Sequence, residues 1–233
     1  MYGMYGYGYG YGFDPTIILV LIGVALSLWA QGRVNSTFSR YSRVRSMTGR
    51  TGAEAARRLL SAQGIYDVTV QPIAGELTDH YDPRTKTVNL SQSVYGATSV
   101  AAIGVAAHEC GHAMQDNEGY APLRFRSALV PAANFGSKLS WPLILLGLVF
   151  GGLGSPLVEI GILMFSLAVL FQLVTLPVEY NASARAVRLL DSQGILAGEE
   201  VSGTRKVLNA AALTYVAAAA TSILQLLRLI ILF

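Results

Sequence analysis

Four apolar stretches, at residues 15–32, 139–154, 158–178 and 210–233, constrain this chain more than any other feature. Each approaches the roughly 20 residues that an α-helix needs to cross the hydrocarbon core of a bilayer. A backbone inside lipid must satisfy its own polar groups, so runs of this length are read as helices. Composition agrees, since 52% of the residues are hydrophobic and only 13% charged, a balance foreign to a soluble domain. The second stretch carries Pro142, Gly147, Gly151, Gly152 and Gly154, which marks it as the shortest span, tilting little or thinning the bilayer around it.

Basic residues orient the spans, because Lys and Arg collect in cytoplasmic flanks. Of the 17 in the chain, residues 31–138 hold 12 and residues 179–210 hold 4, while 1–30 and 139–178 hold none. The expected topology has the N-terminus outside and residues 31–138 in the cytoplasm. A hairpin then runs out and back, residues 179–210 are cytoplasmic, and the C-terminus is outside. The expected segments are a Tyr/Gly-rich tail at 1–13, a first span at 14–32, a cytoplasmic domain at 33–138, a transmembrane hairpin at 139–178, a cytoplasmic helical segment at 179–209 and a last span at 210–233. No basic region precedes the first apolar run, so that run reads as a retained anchor rather than a cleaved signal. The tail reads as an aromatic-rich segment lying at the outer interface.

The net charge of +3 comes largely from arginines flanking the spans. It points to anionic membrane lipid as a partner, and no nucleic-acid motif is present. The single cysteine, Cys110, excludes an intramolecular disulfide and fits a reducing compartment.

Within the cytoplasmic region, Thr51 and Glu54 have the spacing of a capping box and open a helix over 53–63 that stops at Gly64. Residues 182–195 repeat that pattern and stop at Gly194. Residues 67–73 alternate with period two, and residues 85–90 follow a turn at Asp82-Pro83, predicting a small sheet. Residues 76–80 and 85–90 are the expected exposed edges, where an extended peptide could add by main-chain hydrogen bonding.

His108-Glu109-Cys110-Gly111-His112 carries the chemistry. It follows a small, apolar run with Thr98 or Ser99 available as N-cap, so it belongs on a helix. Residues four apart share a helical face, so both imidazoles reach one metal ion, with Glu109 beside them as base for a water. Cys110 lies about 100° from its neighbours around the helix and reads as a packed residue. Gly111 admits a close backbone approach.

A catalytic zinc takes three protein ligands. Asp116 lies one turn past His112 and Glu118 is close by. Glu179 is the better candidate, since it follows the third span on the inferred cytoplasmic side. His80 is read as a hydrogen-bonded turn residue, with a ligand or donor role as the alternative. Asn209 and Tyr215, at the membrane end of the last segment, are candidates to stabilise an oxyanion.

The motif at 108–112, the sequence Glu179-Tyr180-Asn181-Ala182-Ser183, the stretches 77–83 and 207–217 and the flanking spans together resemble the membrane zinc metallopeptidases of the YugP type. A more distant resemblance links the chain to HtpX-like integral membrane proteases. The resemblance covers nearly the whole chain after the tail. It implies one Zn2+ held by His108, His112 and Glu179, with Glu109 as general base. In the broader glutamate-zincin pattern an Asp often stands four residues after the glutamate ligand, where this chain has Ser183, a weaker partner for an imidazole N–H.

The expected fold is therefore an α-helical integral membrane protein with about four transmembrane helices and a small α+β zincin-like cytoplasmic domain. The expected function is zinc-dependent endopeptidase action at the cytoplasmic membrane surface, on peptide or membrane-protein substrates. A zinc-stabilised scaffold or assembly factor without hydrolytic activity is the alternative. A transporter is disfavoured, because no apolar span carries a paired acidic or histidine residue.

Overall fold

The structure is a computed structural model and describes residues 14–233, so the Tyr/Gly tail lies outside the described residues. Helix α1 (Ile17–Ser42) leads to α2 (Gly52–Ala62), and strands β1 (Thr69–Ile73), β2 (His80–Asp82) and β3 (Thr87–Ser91) follow. A short α3 (Gln92–Tyr95) precedes α4 (Val100–Asn117), α5 (Ala121–Gly151), α6 (Pro156–Ser192) and α7 (Glu199–Leu232). Among these, α1, α5, α6 and α7 are long and apolar enough to cross a membrane.

All four long helices overrun the limits set by hydropathy. Helix α1 continues through Arg33 and Arg40 to Ser42, and α5 begins at Ala121 rather than near 139. The boundary expected between 178 and 179 falls inside α6, which runs from the third span through Glu179 without a break. A helix ends where a stop signal or a cap intervenes, and a change from apolar to polar side chains is neither. Pro177 interrupts one backbone hydrogen bond of α6 but not its course.

Helices α5 and α6 form the expected hairpin, and its glycines make the seam. A β-carbon on Gly136 would lie 2.5 Å from the Met164 carbonyl oxygen, and one on Gly161 would lie 2.9 Å from that of Ser140. Small residues allow this approach, which supplies packing where lipid gives no hydrophobic drive. Helix α1 packs along α7, and α4 is gripped by α2, α6 and α7.

The capping box forms, with Thr51 Oγ1 accepting from Glu54 N and Glu54 Oε2 accepting from Thr51 N. Gly64 and Gly194 both take positive φ after their helices. The sheet order is β1-β3-β2, with β1 parallel and β2 antiparallel to β3. Thus β3 is the central strand, fully buried, and residues 85–90 are not an edge. Its side chains Val88 and Leu90 close the core beneath α2 and α4, and its buried backbone polar groups are satisfied by pairing with a strand on each side. The free edge near the motif is β2, at His80–Asp82, and residues 76–79 lead into it as loop.

Candidate metal centre

Ser99 caps α4 by accepting from Ala102 N, and α4 then carries the motif as one buried helix. Its fit against α6 depends on Gly111, where a β-carbon would stand 2.6 Å from the carbonyl oxygen of Ala182. That approach brings the face bearing His108 and His112 onto the face bearing Glu179 and Ser183. Cys110 points away, its Sγ 3.6 Å from the Ala56 carbonyl oxygen. Burial pushes its thiol well above the ordinary range.

His108 and His112 direct Nε2 at the same atom, Oε2 of Glu179, at 3.2 and 3.6 Å. The rings meet edge to face, with centroids 4.7 Å apart. One ligand atom from each of the three residues lies within 4.8 Å of the others. Glu179 is 2% exposed and Glu109 7%. The other oxygen of Glu179, Oε1, faces Arg126 Nη1 at 3.7 Å.

Each imidazole is held from behind. His108 Nδ1 lies 3.1 Å from Ser183 Oγ, one helical turn beyond Glu179. His112 Nδ1 lies 3.0 Å from Oε1 of Gln115, a fully buried residue. The Gln115 amide nitrogen donates to the Val178 carbonyl at 2.8 Å and to Asn181 Oδ1 at 3.0 Å. Its oxygen must therefore accept, so Nδ1 of His112 carries the proton and Nε2 presents a lone pair to the Glu179 carboxylate. Two acceptors facing each other in a buried site require a cation between them or a proton on the ring. Accordingly, burial draws the His112 pKa down, while Glu179 and Glu109 overcome it and leave it above the ordinary histidine value. Two imidazoles, one carboxylate and a neighbouring free carboxylate suit zinc.

Glu109 stands in the same cleft, where its Oε2 accepts the backbone N–H of Tyr81 on β2 at 3.0 Å. Two cavities of about 290 Å3 each meet there and share Asp79, His108, Glu109, Glu179 and Tyr215. One is walled by α1 and α7 through Val34, Leu208 and Ala211, the other by β2 and α5 through Tyr81, Arg126 and Val130. Asp79 accepts from Ser91 N and Oγ, which ties the loop before β2 to β3. Burial raises its pKa against those hydrogen bonds.

Of the other expected residues, Tyr215 lines both cavities. Asn209 is exposed on α7 and lines cavities that contain none of the three ligand candidates, so it does not join the cluster. The reason is helical phase, since six residues separate it from Tyr215 and turn it to another face. His80 is exposed, its ring nitrogens 2.8 Å from Thr78 O and 3.2 Å from Asn89 Nδ2. Asp116 is engaged elsewhere, by Lys86 Nζ at 2.7 Å and Tyr81 Oη at 2.8 Å, and Glu118 is paired with Arg185 at 2.7 Å.

Sequence reasoning missed Gln115, Asn181 and Arg126. Gln115 had a signal, being three residues past His112 on the same helical face. Arg126 read only as a membrane-flanking charge.

A family model described as "Putative neutral zinc metallopeptidase" matches residues 16–233. The chain is 50% identical over 217 residues to a protein of Bacillus subtilis (strain 168) described as "Putative membrane protease YugP", with 93% of this chain and 96% of that protein covered. No solved structure matches the chain.

Proposed function

The chain belongs to the putative neutral zinc metallopeptidase family, and from that premise we propose that it is a membrane-bound zinc-dependent endopeptidase acting at the cytoplasmic membrane surface. The observation carrying this reading is the convergence of His108, His112 and Glu179 within 4.8 Å, with Glu109 beside them in one cleft. These three residues would hold one zinc ion. When bound, zinc acts as a Lewis acid and brings the pKa of water to about 7.

Glu109 takes the proton of the attacking water and delivers it to the leaving amine. Its carboxylate is aimed for this by the Tyr81 N–H, which engages one oxygen, while the other accepts no hydrogen bond among the described residues. Ser183 and Gln115 hold the imidazoles so that both Nε2 atoms point toward the Glu179 carboxylate, where zinc would be held, and Arg126 holds the outer oxygen of Glu179. The hydroxyl of Tyr215, a residue that lines both cavities, is the donor assigned to the developing oxyanion. A peptide lying across the two cavities would pass over this cluster, flanked by the β2 edge on one side and by the span-bearing helices α1 and α7 on the other. The concentration of Lys and Arg at the flanks supports a cytoplasmic orientation.

The deciding experiment compares purified wild type with Glu109→Gln on a peptide and on a membrane-protein substrate, with zinc content measured in both. Equal zinc and a loss of hydrolysis of at least about 100-fold is expected. A variant that cleaves as fast as wild type would remove Glu109 as base. A wild type that binds zinc, cleaves nothing and functions equally well with Glu109→Gln would favour the scaffold alternative.

A further inference from the structure

An open groove of about 680 Å3 lies between α1, α6 and α7, and none of the candidate ligands lines it. Arg33 and Arg40 from α1 and Lys206 from α7 line it, and no Asp or Glu does. None of these three cations forms an ion pair among the described residues. Unneutralised like charges converging on one concavity repel each other, so an anion between them is stabilising.

Helical phase makes the convergence specific. Arg33, Thr37, Arg40 and Tyr41 fall at spacings of four, seven and eight residues on one face of α1, and Lys206, Asn209 and Leu213 at three and seven on one face of α7. These faces meet because α1 and α7 pack together. At the Tyr41 end a β-carbon on Gly203 would lie 2.6 Å from the Tyr41 ring, so the helices touch there. Thr37 adds a hydroxyl between the charges, while the Ser36 hydroxyl donates to the Arg33 carbonyl oxygen at 3.2 Å.

The depth of the groove identifies the source of the anion. Arg33 directly follows the apolar run of α1, and Lys206 and Asn209 directly precede that of α7. Two independent helices thus change from apolar to polar at the groove, the level at which lipid phosphates would lie, and Leu213 continues its wall toward the apolar segment. The volume suits a small-molecule headgroup.

We propose that the Arg33–Arg40–Lys206 groove binds the phosphate of an anionic phospholipid headgroup, as a site separate from the candidate metal centre. The test uses delipidated full-length protein in neutral detergent, titrated with phosphatidylglycerol, phosphatidylcholine or glycerol phosphate and read by native mass spectrometry. Wild type should prefer phosphatidylglycerol over phosphatidylcholine. The triple variant Arg33→Gln/Arg40→Gln/Lys206→Gln should lose about 100-fold in phosphatidylglycerol affinity, at roughly fivefold per cation. A control triple, Arg43→Gln/Arg58→Gln/Arg84→Gln, removes the same charge outside the groove and should retain the preference. If the groove triple keeps the preference, or both triples lose it equally, the site does not exist. Glycerol phosphate saturating the groove as tightly as the lipid would overturn the lipid assignment. Should the groove triple fail to fold, Lys206→Glu alone must lower phosphatidylglycerol affinity while leaving phosphatidylcholine binding unchanged, and equal effects on both lipids would overturn the proposal.

Discussion

Gly111 on α4 and Ala182 on α6 meet so closely that a β-carbon on the first would stand 2.6 Å from the carbonyl oxygen of the second. That contact sets the distance between the helix carrying both histidines and the helix carrying Glu179. Replacing glycine by alanine favours a helix by about 1 kcal/mol, but forcing apart two packed backbones costs about 1–3 kcal/mol, and backbone atoms cannot rotate away. Gly111→Ala is therefore expected to lower the thermal midpoint and to weaken zinc binding together, checked by a melting curve and a chelator competition. An unchanged zinc affinity in a folded Gly111→Ala protein would show that the spacing is not set here.

Gln115 joins His112 to Val178 and Asn181 by three hydrogen bonds. Gln115→Leu fills the space but leaves Nδ1 of His112 unpartnered. Zinc affinity is expected to fall about 10–100-fold. Ser183→Ala, acting through the looser 3.1 Å contact to His108, should fall less. The ordering of the two variants in a competition titration is the check, and a larger loss in Ser183→Ala contradicts it.

Arg126 faces the outer oxygen of Glu179 at 3.7 Å while its buried Nε has no hydrogen-bond partner among the described residues. Arg126→Met keeps an unbranched apolar stem and removes the charge, together with the guanidinium that lies 6.0 Å from the Phe171 ring centroid. A drop of about tenfold in zinc affinity is expected if Arg126 fixes the carboxylate orientation, with secondary structure unchanged by circular dichroism. Wild-type affinity in this variant would leave Arg126 without that role.

Asp116 pins β2 and the turn before β3 to α4 through Tyr81 Oη and Lys86 Nζ. Burial raises its pKa, but the hydrogen bonds from Lys86 and Tyr81 outweigh that and leave it below the ordinary value of 3.8. A carboxylate with a depressed folded pKa contributes stability above its unfolded value and loses it as pH falls through the folded one. Wild type should thus lose stability as pH drops below about 4, and Asp116→Asn should be less stable near neutrality with a shallower loss in acid. Parallel acid profiles for the two proteins would rule out this pin.

The spans and the motif helix were legible because their signals are local. Apolar runs of bilayer length and two histidines four residues apart each follow from one helix. The choice of Glu179 was also within reach, since charge bias returned it to the side of the motif. Helix lengths were not, because hydropathy locates the apolar part of a helix and not its ends. The order of the sheet was not either. A strand's pattern reports which faces are buried but not which neighbours it pairs with, and β3 took the centre by pairing with both β1 and β2.

By itself, then, the sequence determined a helical chain with four stretches long and apolar enough to cross a membrane and a pair of histidines at metal-ligand spacing, since periodicity and length follow from backbone geometry alone. Only the tertiary structure decided that Tyr215 and not Asn209 faces the cluster, that Arg126 leaves the membrane flank for the cleft, and that Gln115 fixes the proton on His112. Those outcomes depend on how α4, α5, α6 and α7 rotate and approach one another. That is set by long-range backbone contacts, such as Gly111 against Ala182, between residues far apart in the chain.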